Sequence, residues 1–453
     1  MRVSSRLNTH SRSKTQLGEH KAERTGNLPV DPWNLIRVIP AQGTHQSRPV
    51  LTLLLPKRSK MTTQGAAPTP EEPSSDRTAP PRSRSLRIPL WALAIAGVLV
   101  AAGAYGAYMY LQPKSHCTSS NTINIDVYDS FMGSGANPGA ARGAVFSAFE
   151  NATGSCLSVK YLTTDVANVI SSSPAGQLPD IAIGLTEVTA EELGLEGYLV
   201  PYSSPALGDV NSTLVQGLSP EGYATPYEWQ YLGVDYLTSL DNSTGHALSG
   251  GDVFQTLTAN STLAHQFLYE NPTTDPVGKE FLLWEYQFYT SVLHQNWTTF
   301  WKSVGPNLPQ AVTDWSTGIG EFAPSGYPMF VSFGTDPAYF AANPAGYGMN
   351  TTFSHYGGAT YGWKTIYGAA IVKGGVHNLA LDKEFLNWLL SSNVQSLIPL
   401  NEWMYPANAT VPLPAVFAAN PPVGDVVPLN SYTSPREIAG NLTALLLEWQ
   451  SLM

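Results

Sequence analysis

Cysteine is scarce in this sequence of 453 residues, which limits the metal chemistry that the chain can carry. It occurs only at Cys117 and Cys156, and the nine histidines show no C-x-x-C or H-E-x-x-H spacing. No structural metal site is therefore indicated. The two cysteines could form one disulfide in an oxidising compartment, but the sequence leaves their pairing open.

Motifs of the common enzyme classes are also lacking. The sequence contains no G-x-S-x-G elbow, no phosphate-binding G-x-x-x-x-G-K-[ST] loop and no G-x-G-x-x-G after a strand. Adjacent carboxylates such as Glu191 and Glu192 lie in a helix-like run and are typical of a solvated helix face. The sequence therefore predicts a protein that is not an enzyme and that needs no cofactor.

Charged residues are unevenly distributed along the chain. Residues 1–112 contain 15 Lys and Arg against 6 Asp and Glu, whereas residues 113–453 contain 9 against 28. The divide is a run without charge over residues 88–113. At about 1.5 Å per residue, this run is long enough to cross a hydrocarbon core of about 30 Å. The sequence predicts a single transmembrane helix over residues 88–112.

The flanks of this run give the predicted helix its orientation. Arginines precede it and tyrosines lie near its far end, namely Arg77, Arg82, Arg84 and Arg87, and Tyr105, Tyr108 and Tyr110. Basic residues favour the cytoplasmic side, so the N-terminus is predicted inside and residues 113–453 outside. A cleaved signal peptide is the alternative, although the run exceeds the roughly 7 to 15 residues of a signal-peptide core.

Glycosylation sequons support the same orientation. N-x-S/T occurs only after the predicted helix, at Asn151, Asn211, Asn242, Asn260, Asn296, Asn350, Asn408 and Asn441. The sequence thus predicts a single-pass membrane protein whose glycosylated C-terminal part lies at the cell surface or in the periplasm.

The N-terminal part has the composition of an unfolded chain. Residues 1–87 are polar and basic or rich in Pro, Ser and Thr, and cannot bury enough apolar surface to fold. We expect residues 1–87 to be a disordered cytoplasmic segment, with Met61 as an alternative start. Residues 113–120 are predicted to be a short tether.

Strand and helix signals alternate from residue 122 onward. Strand-like segments at 122–128, 157–162 and 180–185 are separated by helix-like stretches at 139–149 and 166–172. This order predicts an α/β fold with a parallel sheet. Further strands are predicted within 229–236 and at 329–333 and 366–373, and further helices at 280–293, 381–391 and 433–452. Together these elements fit two α/β lobes.

Aromatic side chains occur at predicted strand ends or beside Gly and Pro rather than within apolar periodic runs. They are Tyr128, Tyr227, Trp229, Trp315, Phe333, Tyr339, Trp363, Trp403 and Tyr405. Ligands of α/β sheets bind beyond the carboxyl ends of strands. Aromatic faces there hold a planar or cationic ligand at about 0.5 to 2 kcal/mol per contact. The formal charge of −19 on residues 113–453 would attract a cation and disfavour an anion or nucleic acid, but a soluble acidic surface accounts for the charge equally well.

Seven segments, in order, resemble the periplasmic thiamine-binding proteins of bacterial thiamine ABC transporters. They are VYDSF (127–131), DIAIGL (180–185), TPYEWQYLGVDY (225–236), NPTTDPVGKEFLLW (271–284), VTDWSTGIGEF (312–322), VSFGTDPAYF (331–340) and IPLNEWMYPANATVPLPAVF (398–417). The resemblance extends from about residue 122 to the C-terminus. Its most specific parts are YDSF and N-x-W-M-Y-P.

The resemblance implies a two-lobed type II periplasmic-binding-protein fold that closes on its ligand like a hinge. One lobe would comprise residues 121–226 and 361–453, and the other residues 227–360. The implied function is to capture thiamine or a thiamine phosphate and deliver it to the permease and ATPase subunits of an ABC importer. The residues that match the family's ligand-binding motifs are Tyr128, Asp129, Asp165, Thr273, Thr274, Asp275, Trp315, Phe333, Tyr339 and Trp403.

Three features depart from the family pattern. A Trp that follows YDSF in bacterial relatives has no counterpart in the segment MGSGANPG that follows it here. Family members often have Tyr at the position of Phe333, so a hydroxyl is lost here while the ring remains. The family's D-P-R-T-S motif becomes NPTTD, which places Thr273 and Asp275 where relatives have Arg and Ser. Because a carboxylate at Asp275 would repel a phosphate, we expect free thiamine to be preferred over its phosphates.

Other functions remain open at this point. Related lobes carry different ligands on one architecture, so another small cation such as iron or a polyamine is the alternative ligand. A membrane-anchored extracellular hydrolase is a further alternative, and it would require convergent acids with perturbed pKa values in the cleft.

Overall fold

A computed structural model of the chain describes residues 117–453. The predicted disordered segment at 1–87, the predicted transmembrane helix at 88–112 and the first part of the predicted tether lie outside the described residues. Within residues 117–453, no helix is both long and apolar enough to cross a membrane.

Strands and helices alternate through the described residues. The strands are β1 Thr122–Tyr128, β2 Cys156–Leu162, β3 Ile181–Leu185, β4 Leu199–Val200, β5 Thr225–Leu237, β6 Phe267–Leu268, β7 Met329–Phe333, β8 Met349–Thr352, β9 Ser354–Tyr356, β10 Ala359–Val372, β11 Tyr405–Pro406 and β12 Val426–Pro428. The α-helices are α1 Pro138–Thr153, α2 Val166–Ser172, α3 Glu187–Leu195, α4 Ser212–Leu218, α5 Thr238–Ser243, α6 Val253–Ala259, α7 Ser261–Ala264, α8 Pro276–Gln287, α9 Thr298–Val304, α10 Trp315–Glu321, α11 Asp336–Ala342, α12 Leu379–Leu389, α13 Ser392–Gln395, α14 Ile398–Asn401 and α15 Pro435–Leu452.

The sheet joins a parallel part to an antiparallel part. Its strand order is β2-β1-β3-β10-β5-β7-β6. Strand β1 pairs in parallel with β2 and β3, which confirms the predicted α/β fold with parallel strands at the start of the described chain. The long strand β10 runs antiparallel to both β3 and β5. Strands β5 and β10 therefore connect the two parts of the sheet.

Local sequence explains where several helices begin. Ser434 accepts a hydrogen bond from the amide of Glu437, and Pro435 follows it as the first residue of α15. This is the Ser-Pro-x-Glu arrangement that favours a helix start. Asn137 caps α1 in the same way, by accepting a hydrogen bond from the amide of Ala140. Side-chain caps thus define helix starts that the apolar pattern alone places only approximately.

Two large hydrophobic cores lie along this sheet. The first contains buried residues from 123–227 and 366–407, and the second is built mainly from 232–304, 329–363 and 429–449. Helix α15 buries Ile438, Leu442 and Trp449 in the second core. The lobe boundaries stay a prediction. Residues 361–453 were expected to belong to the same lobe as residues 121–226, but helix α15 packs in the second core, with residues of the predicted other lobe.

The two cysteines form a disulfide, which answers the question that the sequence left open. Cys117 is joined to Cys156, the first residue of β2. The bond therefore ties the chain just before β1 to the neighbouring parallel strand.

Candidate ligand-binding site

Tyr128 ends β1 and lies among acidic side chains. Its hydroxyl oxygen is 3.0 Å from Oε1 of Glu228 and 3.1 Å from Oε2 of Glu402, and it accepts a hydrogen bond from the hydroxyl of Tyr227. Since Tyr128 can donate only one proton, one of the two carboxyls must be protonated to donate in return. Burial raises the pKa of Glu228 to about 8, and burial followed by the charge of Glu228 raises the pKa of Glu402 well above its usual value.

Glu228 and Glu402 were not among the predicted site residues. Both lie inside segments that carry the family resemblance, and each directly precedes a tryptophan noted in the sequence, Trp229 and Trp403. Glu228 is fully buried, and its Oε2 has no hydrogen-bond partner within residues 117–453. Two buried carboxyls that share a tyrosine hydroxyl are a long-range arrangement, because the residues come from β1, β5 and the segment before β11. A local pattern could not have indicated it.

Asp129 follows Tyr128 and is half-buried. Burial is the main reason that its pKa is raised, and the charge of Asp314 raises it further. Asp314 caps α10 by accepting a hydrogen bond from the amide of Thr317, and Trp315 is the first residue of that helix. The end of β1 and the start of α10 therefore approach each other, which brings two predicted site residues from distant segments into one region.

The carboxylate of Asp165 forms an ion pair with another residue of the chain, Lys279. Its Oδ1 accepts a hydrogen bond from the amide of Ala167 and caps α2, while its Oδ2 accepts one from Nζ of Lys279 at 2.8 Å. Both side chains are buried, with 1% and 6% of their surfaces exposed. Lys279 was not predicted, although it lies within the NPTTDPVGKEFLLW segment. The pair joins α2 to α8.

The loop at 273–275 is organised mainly by hydrogen bonds within the chain. The amide and the hydroxyl of Thr273 both donate to Oδ1 of Asn271, and Thr274 is exposed. Asp275 caps α8, because its Oδ1 accepts hydrogen bonds from the amides of Val277 and Gly278. Burial raises the pKa of Asp275 to about 7. The amides at the start of α8, which would suit a phosphate, are thus used by this carboxyl.

Trp315 and Phe333 form an aromatic pair. Their ring centres are 6.4 Å apart and the rings are tilted by 34°. Both are half-buried, so part of each ring remains accessible. The indole N–H of Trp315 donates to Oγ of Ser332 at 2.9 Å, which fixes the orientation of the ring.

Tyr339 and Trp403 form another aromatic pair, with ring centres 5.4 Å apart and the rings almost perpendicular. Trp403 stacks on Phe417 and donates its indole N–H to the backbone oxygen of Ser134 at 2.9 Å. Its backbone has φ of 56°, a conformation that costs energy in a residue other than glycine. Only 6% of Trp403 is exposed, so Tyr339 presents more ring surface than its partner does.

Other aromatic residues noted in the sequence are used by the fold. Trp363 is fully buried and donates its indole N–H to Oε1 of Glu187. Tyr227 and Tyr405 are also buried. The ring of Trp229 faces a cation of the chain itself, since Nζ of Lys364 lies 5.1 Å from its centre. These side chains therefore have structural partners.

Carboxyl groups from separate segments influence one another in this region. The charge of Asp314 contributes to the raised pKa of both Asp129 and Asp275, and Asp165 acts in the same direction on Asp275. Such mutual repulsion is relieved by a cation. Within residues 117–453, no group of three or more His, Cys, Asp or Glu has the geometry of a metal site. The arrangement of carboxyls suits a cationic ligand.

A cavity of about 510 Å³ lies elsewhere, between the start of α6 and the β9–β10 turn. It is lined by Ser249, Gly250, Gly251, Asp252, Gln255, His355, Tyr356, Gly357, Gly358 and Ala359. None of the predicted site residues lines it. It is also wide open, so its volume alone does not make it the ligand site.

Comparisons with known proteins agree with the resemblance in the sequence. No protein-family model matches the chain. A thiamine-binding periplasmic protein of Brucella abortus biovar 1 (strain 9-941) is 27% identical over 278 residues, which cover 60% of this chain and 74% of the relative. A solved periplasmic thiamin binding protein superposes with a TM-score of 0.60 at 21% identity, over 73% of this chain and 96% of the other. This chain has the fold of the periplasmic binding proteins.

The same fold occurs with other ligands. The periplasmic binding protein AfuA of Actinobacillus pleuropneumoniae, solved with fructose-6-phosphate, superposes with a TM-score of 0.58 at 15% identity, over 73% of this chain and 98% of AfuA. The predicted resemblance to thiamine-binding periplasmic proteins is thus confirmed, and the proteins that carry it are named as binding proteins rather than enzymes.

Proposed function

We propose that this chain is the solute-binding protein of an ABC importer and that it captures thiamine outside the cell for delivery to a permease. The observation that carries the proposal is the pairing of half-buried aromatic rings with mutually repelling carboxyls at positions that match the family's ligand-binding motifs. Thiamine contains a permanently cationic thiazolium ring, which is attracted both to aromatic faces and to carboxylates.

The acidic character of this region argues against an anionic ligand. AfuA was solved with a sugar phosphate, and such a ligand would have to approach Asp129, Asp275 and Asp314 here. Each of these carboxyls would repel it when ionised. A polyamine or iron remains the alternative cation, but neither would use the flat faces of Trp315 and Phe333 as a planar ring does.

The membrane anchor and the glycans remain part of the proposal. The anchor is the apolar run at 88–112, with the described residues outside. Most sequon asparagines are exposed, namely Asn151, Asn211, Asn242, Asn296, Asn350 and Asn441, and Asn260 is half-buried. Asn408 is different, because it is 2% exposed and its Oδ1 accepts hydrogen bonds from Thr410. We therefore exclude Asn408 as a glycan site in the folded protein.

Trp403→Ala is expected to weaken thiamine binding by about tenfold, because it removes the edge contact that positions the more accessible ring of Tyr339. The measurement is titration calorimetry on the purified full chain in detergent. We expect wild-type protein to bind thiamine with micromolar or tighter affinity.

Trp388→Ala is the matched control for this substitution. The indole of Trp388 likewise donates to a backbone oxygen, that of Val145, but this tryptophan is only partly buried and packs on α1 in the first core. The Trp388→Ala variant should be less stable than wild-type protein but should bind thiamine with unchanged affinity. Absence of heat with thiamine and with its phosphates would rule out thiamine as the ligand.

The preference for thiamine over thiamine monophosphate is expected to increase about tenfold between pH 6 and pH 8. Asp275 has a pKa of about 7, so it loses its proton and repels the phosphate over this range. The second ionisation of the phosphate, near pH 6, acts in the same direction. Affinities for both ligands at several pH values test this.

Asp275→Asn is the matched variant, because asparagine retains the ability to cap α8 but carries no charge. The ratio of the two affinities should change less with pH in this variant. Tighter binding of the monophosphate than of thiamine by wild-type protein would contradict the expected preference.

A further inference from the structure

A chain of hydrogen bonds leads from Trp315 into the protein interior. The indole N–H donates to Oγ of Ser332, and the hydroxyl of Ser332 donates to Oδ2 of Asp336. Ser332 lies on β7 and is fully buried, and Asp336 is the first residue of α11. An indole N–H can only donate a hydrogen bond, so the oxygen of Ser332 accepts from the indole and its hydroxyl hydrogen is donated to the carboxylate of Asp336. Oδ2 of Asp336 is therefore an acceptor.

The carboxyl group of Asp235 is a neighbour of the carboxyl group of Asp336. Oδ1 of Asp235, on β5, accepts a hydrogen bond from the hydroxyl of Thr351, whereas its Oδ2 has no donor among residues 117–453. The neighbour of Asp235 is Asp336, and two carboxyls form a hydrogen bond only when one of them carries a proton. Burial raises the pKa of both groups. Asp336 accepts hydrogen bonds from the hydroxyl of Ser332 and the amide of Phe333, whereas among the described residues Asp235 accepts only from Thr351. We therefore assign the proton to Asp235 and the negative charge to Asp336.

This single negative charge has no cationic partner in the described part of the chain. Neither Asp235 nor Asp336 takes part in an ion pair within residues 117–453. The start of α11 and the hydroxyl of Ser332 stabilise the charge only in part. A buried charge without a partner is costly, and such a cost is typical of a group that serves a ligand.

We propose that the Asp235–Asp336 carboxyl pair determines the preference of this site for cationic ligands, by acting through Ser332 on the indole ring of Trp315. The ring donates its N–H toward an anion, which makes its face more negative and strengthens its attraction for a cation. The same hydrogen bond holds the ring in place, so Ser332 is a positioning residue. The inference rests on the proposed function and names groups that the resemblance did not include.

Two asparagine substitutions separate the charge from the shape of the pair. In Asp235→Asn, the amide donates to Asp336 in place of the protonated carboxyl, and the negative charge stays beside Ser332. In the double variant Asp235→Asn/Asp336→Asn, the charge is lost while the volume is retained. Ser332→Ala provides a further variant, which keeps the charge but breaks its connection to the indole.

Each protein is titrated with thiamine and with a neutral analogue in which carbon replaces the charged thiazolium nitrogen. We expect the double variant to bind thiamine about tenfold more weakly than wild type does and the neutral analogue within about twofold of wild type. For Asp235→Asn, the ratio of the two affinities should stay within about twofold of the wild-type ratio. Ser332→Ala should lower the ratio about threefold.

The outcomes distinguish this inference from the function on which it rests. Equal losses for thiamine and the neutral analogue, in the double variant or in Ser332→Ala, would show that these residues act by shape alone and would overturn the inference. A wild-type protein that binds no thiamine would overturn the inference and the proposed function together. Unfolding curves of each variant identify any that fail to fold, in which case the ratio from Ser332→Ala decides.

Discussion

Replacing Lys279 with methionine is expected to lower the free energy of unfolding by about 3 to 5 kcal/mol. The ammonium group of Lys279 lies 2.8 Å from Oδ2 of Asp165, and both side chains are almost completely buried. Methionine has a similar length but no charge, so the buried carboxylate would keep the hydrogen bond from the amide of Ala167 but would lose its cationic partner. Urea denaturation followed by tryptophan fluorescence measures the loss.

The double variant Asp165→Asn/Lys279→Met is the control for this prediction. Asparagine still caps α2, and no unpaired charge remains, so most of the lost stability should return. Arg436→Met is a second control, because Arg436 and Glu221 form an exposed pair at 3.9 Å. That substitution should have no measurable effect. If Lys279→Met costs no more than Arg436→Met, the buried pair does not contribute as described.

Loss of the disulfide is expected to destabilise the protein by about 3 to 4 kcal/mol. Cys117 and Cys156 are 39 residues apart, and the bond restricts the unfolded chain over that length. The bond also holds the chain beside β1, the strand that ends at Tyr128. The variant Cys117→Ser/Cys156→Ser should unfold at a lower urea concentration than wild-type protein does.

Reduction of wild-type protein provides an independent test of the same bond. Reduced wild type and the double serine variant should unfold at the same urea concentration, and a reductant should not affect the variant. An unchanged unfolding midpoint after complete reduction would contradict the prediction.

The sequence was sufficient for the longest strands and helices, whereas most of the short elements were not predicted. Residues 166–172 and 329–333 were predicted with the bounds that α2 and β7 have, because short apolar segments there are flanked by Asp, Gly and Pro. Residues 180–185 likewise correspond to β3, which starts one residue later. Local patterns of apolar residues and caps carry this information directly.

The partners within the candidate site were less predictable. Asp165 was expected to contact the ligand, yet it is paired with Lys279, which lies 114 residues away in the sequence. Asp275 was expected to act through its charge, and in addition it caps α8. Trp363 was noted as a possible ligand-binding residue, yet it is fully buried. It lies on a strand that is buried on both faces, and no local sequence pattern distinguishes such a tryptophan from one that contacts a ligand. Such assignments depend on contacts between distant segments.

The disulfide leaves this protein without a free thiol, since its only two cysteines are bonded to each other. A cysteine introduced at an exposed position would therefore be its only free thiol and would accept one thiol-reactive fluorophore. Thr164 and Thr274 are such positions, each next to one of the acidic helix caps Asp165 and Asp275. A dye at either position would therefore label one defined place in the fold and report on the surroundings of that helix start.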